Sequence, residues 1–247
     1  MLTYKIHLFR HGITRANLEG RYVGLSDYPL CQEGIDALKE YVKDKDYPPV
    51  EKIYTSPLRR CRETAHILYP GYKTFDVPQL MEMDFGTYEG KTLDELQNDE
   101  SFIAWSRDSM HNAPPEGEDG VAFIRRVIHG LDDVFQDMMA NELHSAALVI
   151  PGGMIMSMLA LMGFPRHPMG EWECEAGAGY TIVMTPELWT RDKVFEVLSR
   201  IPKSGLMACS TSSPRPSATA TMALGRMVEM VVILCRSGCS RSREASS

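Results

Sequence analysis

Tyr4-Lys5-Ile6-His7-Leu8-Phe9-Arg10-His11-Gly12 is the stretch on which the reading of this chain turns. A mostly apolar run leads to an Arg-His pair, and a glycine then breaks it. The pattern predicts a short buried strand, Tyr4–Arg10, whose carboxyl end delivers two reactive side chains into a loop. Related patterns recur downstream. Residues 50–54 predict a second strand, and Ser56-Pro57 predicts a helix to about Leu68 with proline just inside its start. Ser145–Ile150 predicts a strand, followed by a glycine turn and a helix over Gly152–Met162. Residues 179–184 and 194–198 predict two more strands, and residues 32–43 and 118–140 two more helices. Thr92-Leu93-Asp94-Glu95 fits a capping box, while residues 18–30 and 79–90 read as long loops. Strands alternating with helices predict a three-layer α/β/α sandwich with a largely parallel sheet. The site of such a fold lies beyond the carboxyl ends of its strands.

Composition bounds the rest. The 247 residues are 44% hydrophobic and 24% charged, enough apolar material for a sizeable core. The net charge of −7 argues against nucleic acid as the partner. That average hides a split. Residues 203–247 hold six of the 26 Lys and Arg and two of the 33 acids, a net of +4, which leaves residues 1–202 at −11. The expected organisation is a domain over 1–202 and a Ser- and Arg-containing, disordered tail over 203–247. Six scattered cysteines and the lack of a signal-peptide pattern point to reduced thiols and a cytoplasmic location. Residues 146–164 carry no charge over 19 positions, but Pro151-Gly152-Gly153 interrupts them. A strand, a turn and a buried helix explain that run better than a membrane span, and its methionines read as core filling.

Arg10 and His11 end the first strand, Arg59 and Arg60 follow the second, and Glu82 sits in the loop after a third. These residue types suit phosphoryl transfer. A neutral imidazole can attack phosphorus, guanidiniums can bind the oxygens in pairs, and a carboxylic acid can protonate the departing alkoxide. A metal pair of His7 and His11 is a poor alternative, since no Cys or acid stands at ligand spacing.

Longer motifs gather these pieces. Arg10-His11-Gly12-Ile13-Thr14-Arg15-Ala16-Asn17 reads RHG-x-T-x-x-N, and 19–24 reads EGRY-x-G. Residues 26–30 read SD-x-PL, 56–65 SPL-x-R-x-x-x-TA, and 82–90 E-x-x-FG-x-x-EG. Over about residues 3–200 the chain resembles the histidine phosphatase superfamily, in its phosphoglycerate-mutase-like branch. The resemblance implies His11 as the phosphorylated nucleophile and Glu82 as the general acid. It implies Arg10, Asn17, Arg59 and Gly152 at the phosphate. It places Arg21, Ser26 and a 114–118 loop ending in Glu118 on the substrate side. It implies a small phosphorylated metabolite as partner, with no metal, no other cofactor, no membrane and no nucleic acid. Oligomeric state is not legible. Only 68 residues separate Glu82 from Pro151, which leaves little room for the insertion of cofactor-dependent mutases. The phosphatase branch fits better than phosphoglycerate mutase.

One departure matters. Where the family has His-Gly-Gly after a strand, this chain has Pro151-Gly152-Gly153. The resemblance implies that the second catalytic histidine is replaced by Pro151. Proline offers neither a side-chain donor nor a backbone N–H. The expectation is a phosphomonoesterase with impaired activity, the alternative being a non-catalytic phospholigand-binding pseudoenzyme. Cys31 is a lesser departure, standing where the family has a helix-capping threonine, and a modest cap loss is expected. In the tail, 231–242 contains C-x5-R from Cys235 to Arg241, which resembles the phosphate loop of cysteine-dependent phosphatases. Leu234 precedes Cys235 where that family has His, and only five residues follow Ser242, so that reading is disfavoured.

Overall fold

Tyr4–Arg10 does form the first strand, at the centre of the molecule. The structure, a computed structural model, describes residues 2–204. In chain order the elements are β1 (Tyr4–Arg10), α1 (Arg15–Leu18), α2 (Gln32–Lys43), β2 (Lys45–Asp46), β3 (Lys52–Thr55), α3 (Arg59–Leu68), β4 (Thr74–Asp76), α4 (Leu93–Leu96) and α5 (Glu100–Arg107). They continue with α6 (Gly120–Ala140), β5 (Ser145–Ile150), α7 (Gly152–Met162), β6 (Gly163–Phe164), β7 (Gly179–Met184), α8 (Pro186–Asp192), β8 (Phe195–Ile201) and β9 (Lys203–Ser204).

Seven strands make one sheet in the order β4-β3-β5-β1-β7-β8-β6, and only β7 runs against the rest. Alternate residues of a strand face opposite sides, and the packing follows that period. Ile6 and Leu8 of β1, with Ala146, Leu148 and Ile150 of β5, join the core formed with α6 and α7. Phe9, with Ala147 and Val149, joins the core under α3. Both sheet faces are therefore covered, which accounts for the near-continuous apolar strands. The uncharged run at 146–164 is central strand β5 plus buried helix α7, with Met154, Met158 and Met162 in the core. Among the described residues no helix is long and apolar enough to cross a membrane.

Three boundaries differ from expectation. Helix α3 starts at Arg59 rather than at Ser56-Pro57, because Ser56 N–H still follows the strand and donates to Val149 O at 3.0 Å. Helix α6 starts at Gly120, capped by Asp119. Strand β8 runs on to Ile201, and β9 then pairs with β2, so regular backbone continues past the boundary expected at residue 202. Helices α5 and α8 were not anticipated. The Cys235 motif and the rest of 205–247 lie outside the described residues.

Candidate functional site

The carboxyl end of β1 sets the site. Gly12 follows His11 because a side chain there would stand 2.5 Å from Leu38 Cδ1 and 2.9 Å from Leu30 Cδ2. Gly12 N–H donates to Thr64 Oγ1 at 2.8 Å, which ties the turn to α3. His11 is buried, and its Nδ1 lies 2.6 Å from Gly12 O. A carbonyl only accepts, so Nδ1 carries the hydrogen and Nε2 keeps its lone pair. Burial holds the imidazole pKa well below 6.5, and the nearby Arg60 and Arg10 charges push the same way. The ring is thus a neutral base with a free nitrogen.

Glu82 supplies the complementary group. Its carboxyl is buried and its Oε1 accepts Met83 N–H at 3.0 Å. Burial pushes its pKa above the usual carboxylate value, against the pull of that bond and of Arg60 and Arg126. A carboxyl of this kind is disposed to hold a proton and give it up. Arg126 of α6 fixes the loop that carries it. Its Nη1 donates to Gln79 O (2.8 Å) and Met81 O (2.6 Å), and its Nη2 to Glu82 O at 2.7 Å. Its remaining hydrogen bonds go to the Glu118 carboxylate, which also accepts Asp84 N–H at 2.9 Å. Glu118 is therefore a strut behind Glu82 and not part of the cavity lining.

The guanidinium beside His11 belongs to Arg60. Arg59, expected at the phosphate, is 61% exposed and paired with Glu63 at 2.7 Å. Arg60 is 0% exposed, its Nη1 and Nη2 donating to Ser26 O (2.9 Å) and Gly24 O (2.8 Å), while its Nε has no partner. An unpaired buried N–H is costly, and an anion would satisfy it. The loop that grips Arg60 is organised by Glu89, whose carboxylate accepts the N–H groups of Gly24 (3.1 Å), Leu25 (2.9 Å), Ser26 (3.3 Å) and Phe85 (3.4 Å). Ser26 contributes its backbone to this grip. Arg21 turns away, bonding Glu19 Oε2 and Gly90 O, each at 2.7 Å. Neither Ser26 nor Arg21 lines the cavity. Asn17 does, and its Oδ1 accepts Thr14 N–H (3.0 Å) and Thr14 hydroxyl (2.9 Å), leaving its amide donors for a ligand.

The second turn follows β5. Pro151 precedes α7 and gives the helix no side-chain cap, so the N–H groups of Gly152 and Gly153 have no side chain to receive them. Both glycines admit close neighbours. A side chain at Gly152 would stand 2.9 Å from Arg10 Cδ and Nε, and one at Gly153 would stand 3.0 Å from Glu82 Oε2. Arg10 itself is steered by donation from Nη1 to Cys174 O at 2.7 Å.

Arg10, His11, Asn17, Glu82, Gly152 and Gly153 line a cavity of about 150 Å³, completed by Val23, Met156, Glu173 and Cys174. Donors at a helix N-terminus, the Arg10 guanidinium and a free imidazole nitrogen meet at this cavity, with Arg60 acting electrostatically on His11 from outside the lining, an arrangement whose chemistry suits an anion. Among the described residues no group of three His, Cys, Asp or Glu could hold a metal ion. From sequence, Arg60 is named only beside Arg59, which is the one expected at the phosphate, and Glu89 and Arg126 have no assigned role. For Arg60 the signal was present, since Arg60, Cys61, Thr64, Ala65 and Leu68 fall on one helical face and are buried.

Comparison with known proteins places the chain among relatives of one family. The adenosylcobalamin/α-ribazole phosphatase of Salmonella typhimurium is 31% identical over 202 residues, covering 75% of this chain and 98% of the relative. A probable phosphoglycerate mutase of Cronobacter sakazakii is 29% identical over 171 residues, covering 66% of this chain and 77% of the relative. The crystal structure of the α-ribazole phosphatase from Shigella flexneri superposes with a TM-score of 0.66 at 25% identity, covering 83% of this chain and all of that one. The family model of the histidine phosphatase superfamily, branch 1, matches residues 6–196, and with a buried histidine, a buried arginine whose Nε is unpaired and a burial-raised glutamic acid in the same region, the chain belongs to that superfamily.

Proposed function

We propose that this chain is a phosphomonoesterase acting on a small phosphorylated metabolite through a phosphohistidine at His11, slowed by the proline at 151. The state of His11 carries the reading: Nδ1–H is committed to Gly12 O, so Nε2 is free to attack. In the first step Nε2 forms the N–P bond as the ester P–O bond breaks. Glu82 gives its proton to the departing alkoxide. In the second step water attacks phosphorus, Glu82 takes back a proton, and the N–P bond breaks to release phosphate. Arg10, Asn17 and the N-terminus of α7 at Gly152 hold the phosphoryl oxygens. Arg60 takes the part expected of Arg59, and its unpaired Nε supports that exchange. Pro151 contributes no donor to the transition state. The names of the relatives support a phosphatase of a small metabolite over a polymer-directed enzyme.

The test is turnover of p-nitrophenyl phosphate by the native chain and by His11→Ala, with trapping of a phosphoryl adduct that is acid-labile and alkali-stable. Loss of both turnover and adduct in the variant is expected. Turnover that survives His11→Ala would overturn the reading. The missing donor at Pro151 favours one second reading, a phospholigand binder without catalysis. That reading predicts a thermal shift with phosphate esters and turnover at background in the native chain.

A further inference from the structure

The cavity lining that does not handle phosphate is Val23, Met156, Glu173 and Cys174. Three of these are apolar or weakly polar, and the fourth is a carboxylate. The Cys174 thiol does not ionise at neutral pH, since burial raises its pKa to about 11. The lining contains a single cation, Arg10, whose guanidinium is already tied to Cys174 O. Of the other cations near the motif loops, Arg21 and Arg15 are engaged by Glu19 and Arg59 by Glu63, while Arg60 lies outside the lining, held by Ser26 O and Gly24 O and given to the phosphate in the proposed mechanism. Nothing in the lining would pair with a second negative group on the substrate, and Glu173 would repel one.

We infer that Glu173 and its apolar neighbours select phosphomonoesters of uncharged or cationic alcohols and reject those whose alcohol carries a carboxylate. This rests on the phosphomonoesterase reading and narrows its substrate class. A carboxylate brought beside Glu173 meets like charge across a solvated gap, which sets the discrimination at about fivefold at low salt. Glu173 is exposed, so added salt weakens the preference. The apolar members favour an alcohol with a hydrophobic face.

Glycerol 3-phosphate and 3-phosphoglycerate form a matched pair, three carbons each, differing in a hydroxymethyl against a carboxylate. Their dissociation constants are measured by thermal-shift titration at low ionic strength, with inorganic phosphate as reference, in the native chain, Glu173→Gln, Glu173→Lys and Glu171→Gln. Glu171 pairs with His167 and lies outside the lining, so it controls for surface charge. The native chain should prefer the glycerol ester about fivefold. Glu173→Gln should bring the two close to equal, Glu173→Lys should reverse the order, and Glu171→Gln should leave the native ratio. Phosphate binding with no preference between the esters, or a ratio that Glu173→Lys does not move, overturns this inference and leaves the phosphomonoesterase reading standing. No binding of inorganic phosphate overturns both.

Discussion

Two turns at the carboxyl ends of neighbouring strands differ in what their first residue can do. Strands β1 and β5 are parallel neighbours with Arg10 opposite Ile150, and each ends in a turn one residue later, at His11 and at Pro151. His11 N–H donates to Ile150 O at 3.2 Å, and Pro151 O accepts Ile155 N–H at 3.2 Å to begin α7. The backbone needs no N–H from residue 151, and its φ of −59° is the one proline prefers. The fold therefore accepts proline at a place where the proposed phosphoryl transfer would call for a donor. Position at a strand end is set by the sheet, but what that position can do depends on the side chain. The first turn keeps both, and the second keeps only position.

The substitution that would make the two turns alike is Pro151→His. It returns a donor beside the phosphoryl group, and preorganised donors of this kind are typically worth about 10²–10³ in rate. The expected result is a gain of that size in kcat on a phosphomonoester, with Pro151→Ala giving none. A native chain that already turns over briskly, and gains nothing from Pro151→His, would show that the second turn is not deficient.

Glu82→Gln comes next. Glu82 packs against the second turn at Gly153, and in the proposed mechanism it is the acid for the nucleophile of the first turn. With an alkyl phosphate, loss of the acid should lower kcat by about 10²-fold. With p-nitrophenyl phosphate, whose leaving group needs no proton, the first-turnover release of nitrophenol should fall only slightly, because Glu82 acts there only in the second step, as the base. The pH profile gives a second readout. Rate falls on the acid side, below the usual 6.5 of histidine, as His11 gains the proton that blocks Nε2. It falls on the alkaline side, above the usual 4.5 of glutamate, as Glu82 loses its proton. Glu82→Gln should flatten only the alkaline limb. Equal first-turnover losses on both esters would mean that Glu82 does not act as the acid.

The glycines sharpen the contrast further. A methyl at Gly12 meets Leu38 and Leu30 in the core, whereas one at Gly152 meets the movable Arg10 side chain. Gly12→Ala should destabilise the fold by about 1–3 kcal/mol through overpacking. Gly152→Ala should leave the melting temperature nearly unchanged and weaken phosphate binding, because Arg10 must shift. Urea melts and phosphate titrations separate the two. A large stability loss in Gly152→Ala would show that Arg10 cannot give way.

What could be read from sequence follows from what is local. Strands β1, β5 and β7 and helices α2 and α7 agree with expectation because their apolar periods are bounded by Gly, Pro or charged residues. The capping box at Thr92 forms as read, Thr92 and Glu95 bonding reciprocally. Helices α5 and α8 have eight and seven residues, too few for a period to stand out. Arg59 and Arg60 are adjacent letters that point about 100° apart on a helix, so which one faces inward was decided by the packing of Cys61, Thr64 and Ala65. Arg126 and Glu89 act on backbone groups 44 to 47 and 63 to 65 positions away, and no spacing announces that.

The smallest expected effect tests a local reading beside the first turn. The sequence suggested a weakened cap at Cys31, yet the thiol does cap α2. Its Sγ accepts Gly34 N–H at 3.3 Å, and its S–H donates to Ile13 O at 3.4 Å. Sulfur is a weak acceptor and a weak donor, so the same geometry served by a hydroxyl should hold more firmly. Cys31→Ser should stabilise the fold by about 0.5 kcal/mol, the lower end of capping effects, with kcat unaltered because α2 contributes nothing to the cavity lining. Thermal denaturation of the two forms measures it. A loss of stability in the serine form would mean that the partly buried thiol contributes more as an apolar group than as a cap.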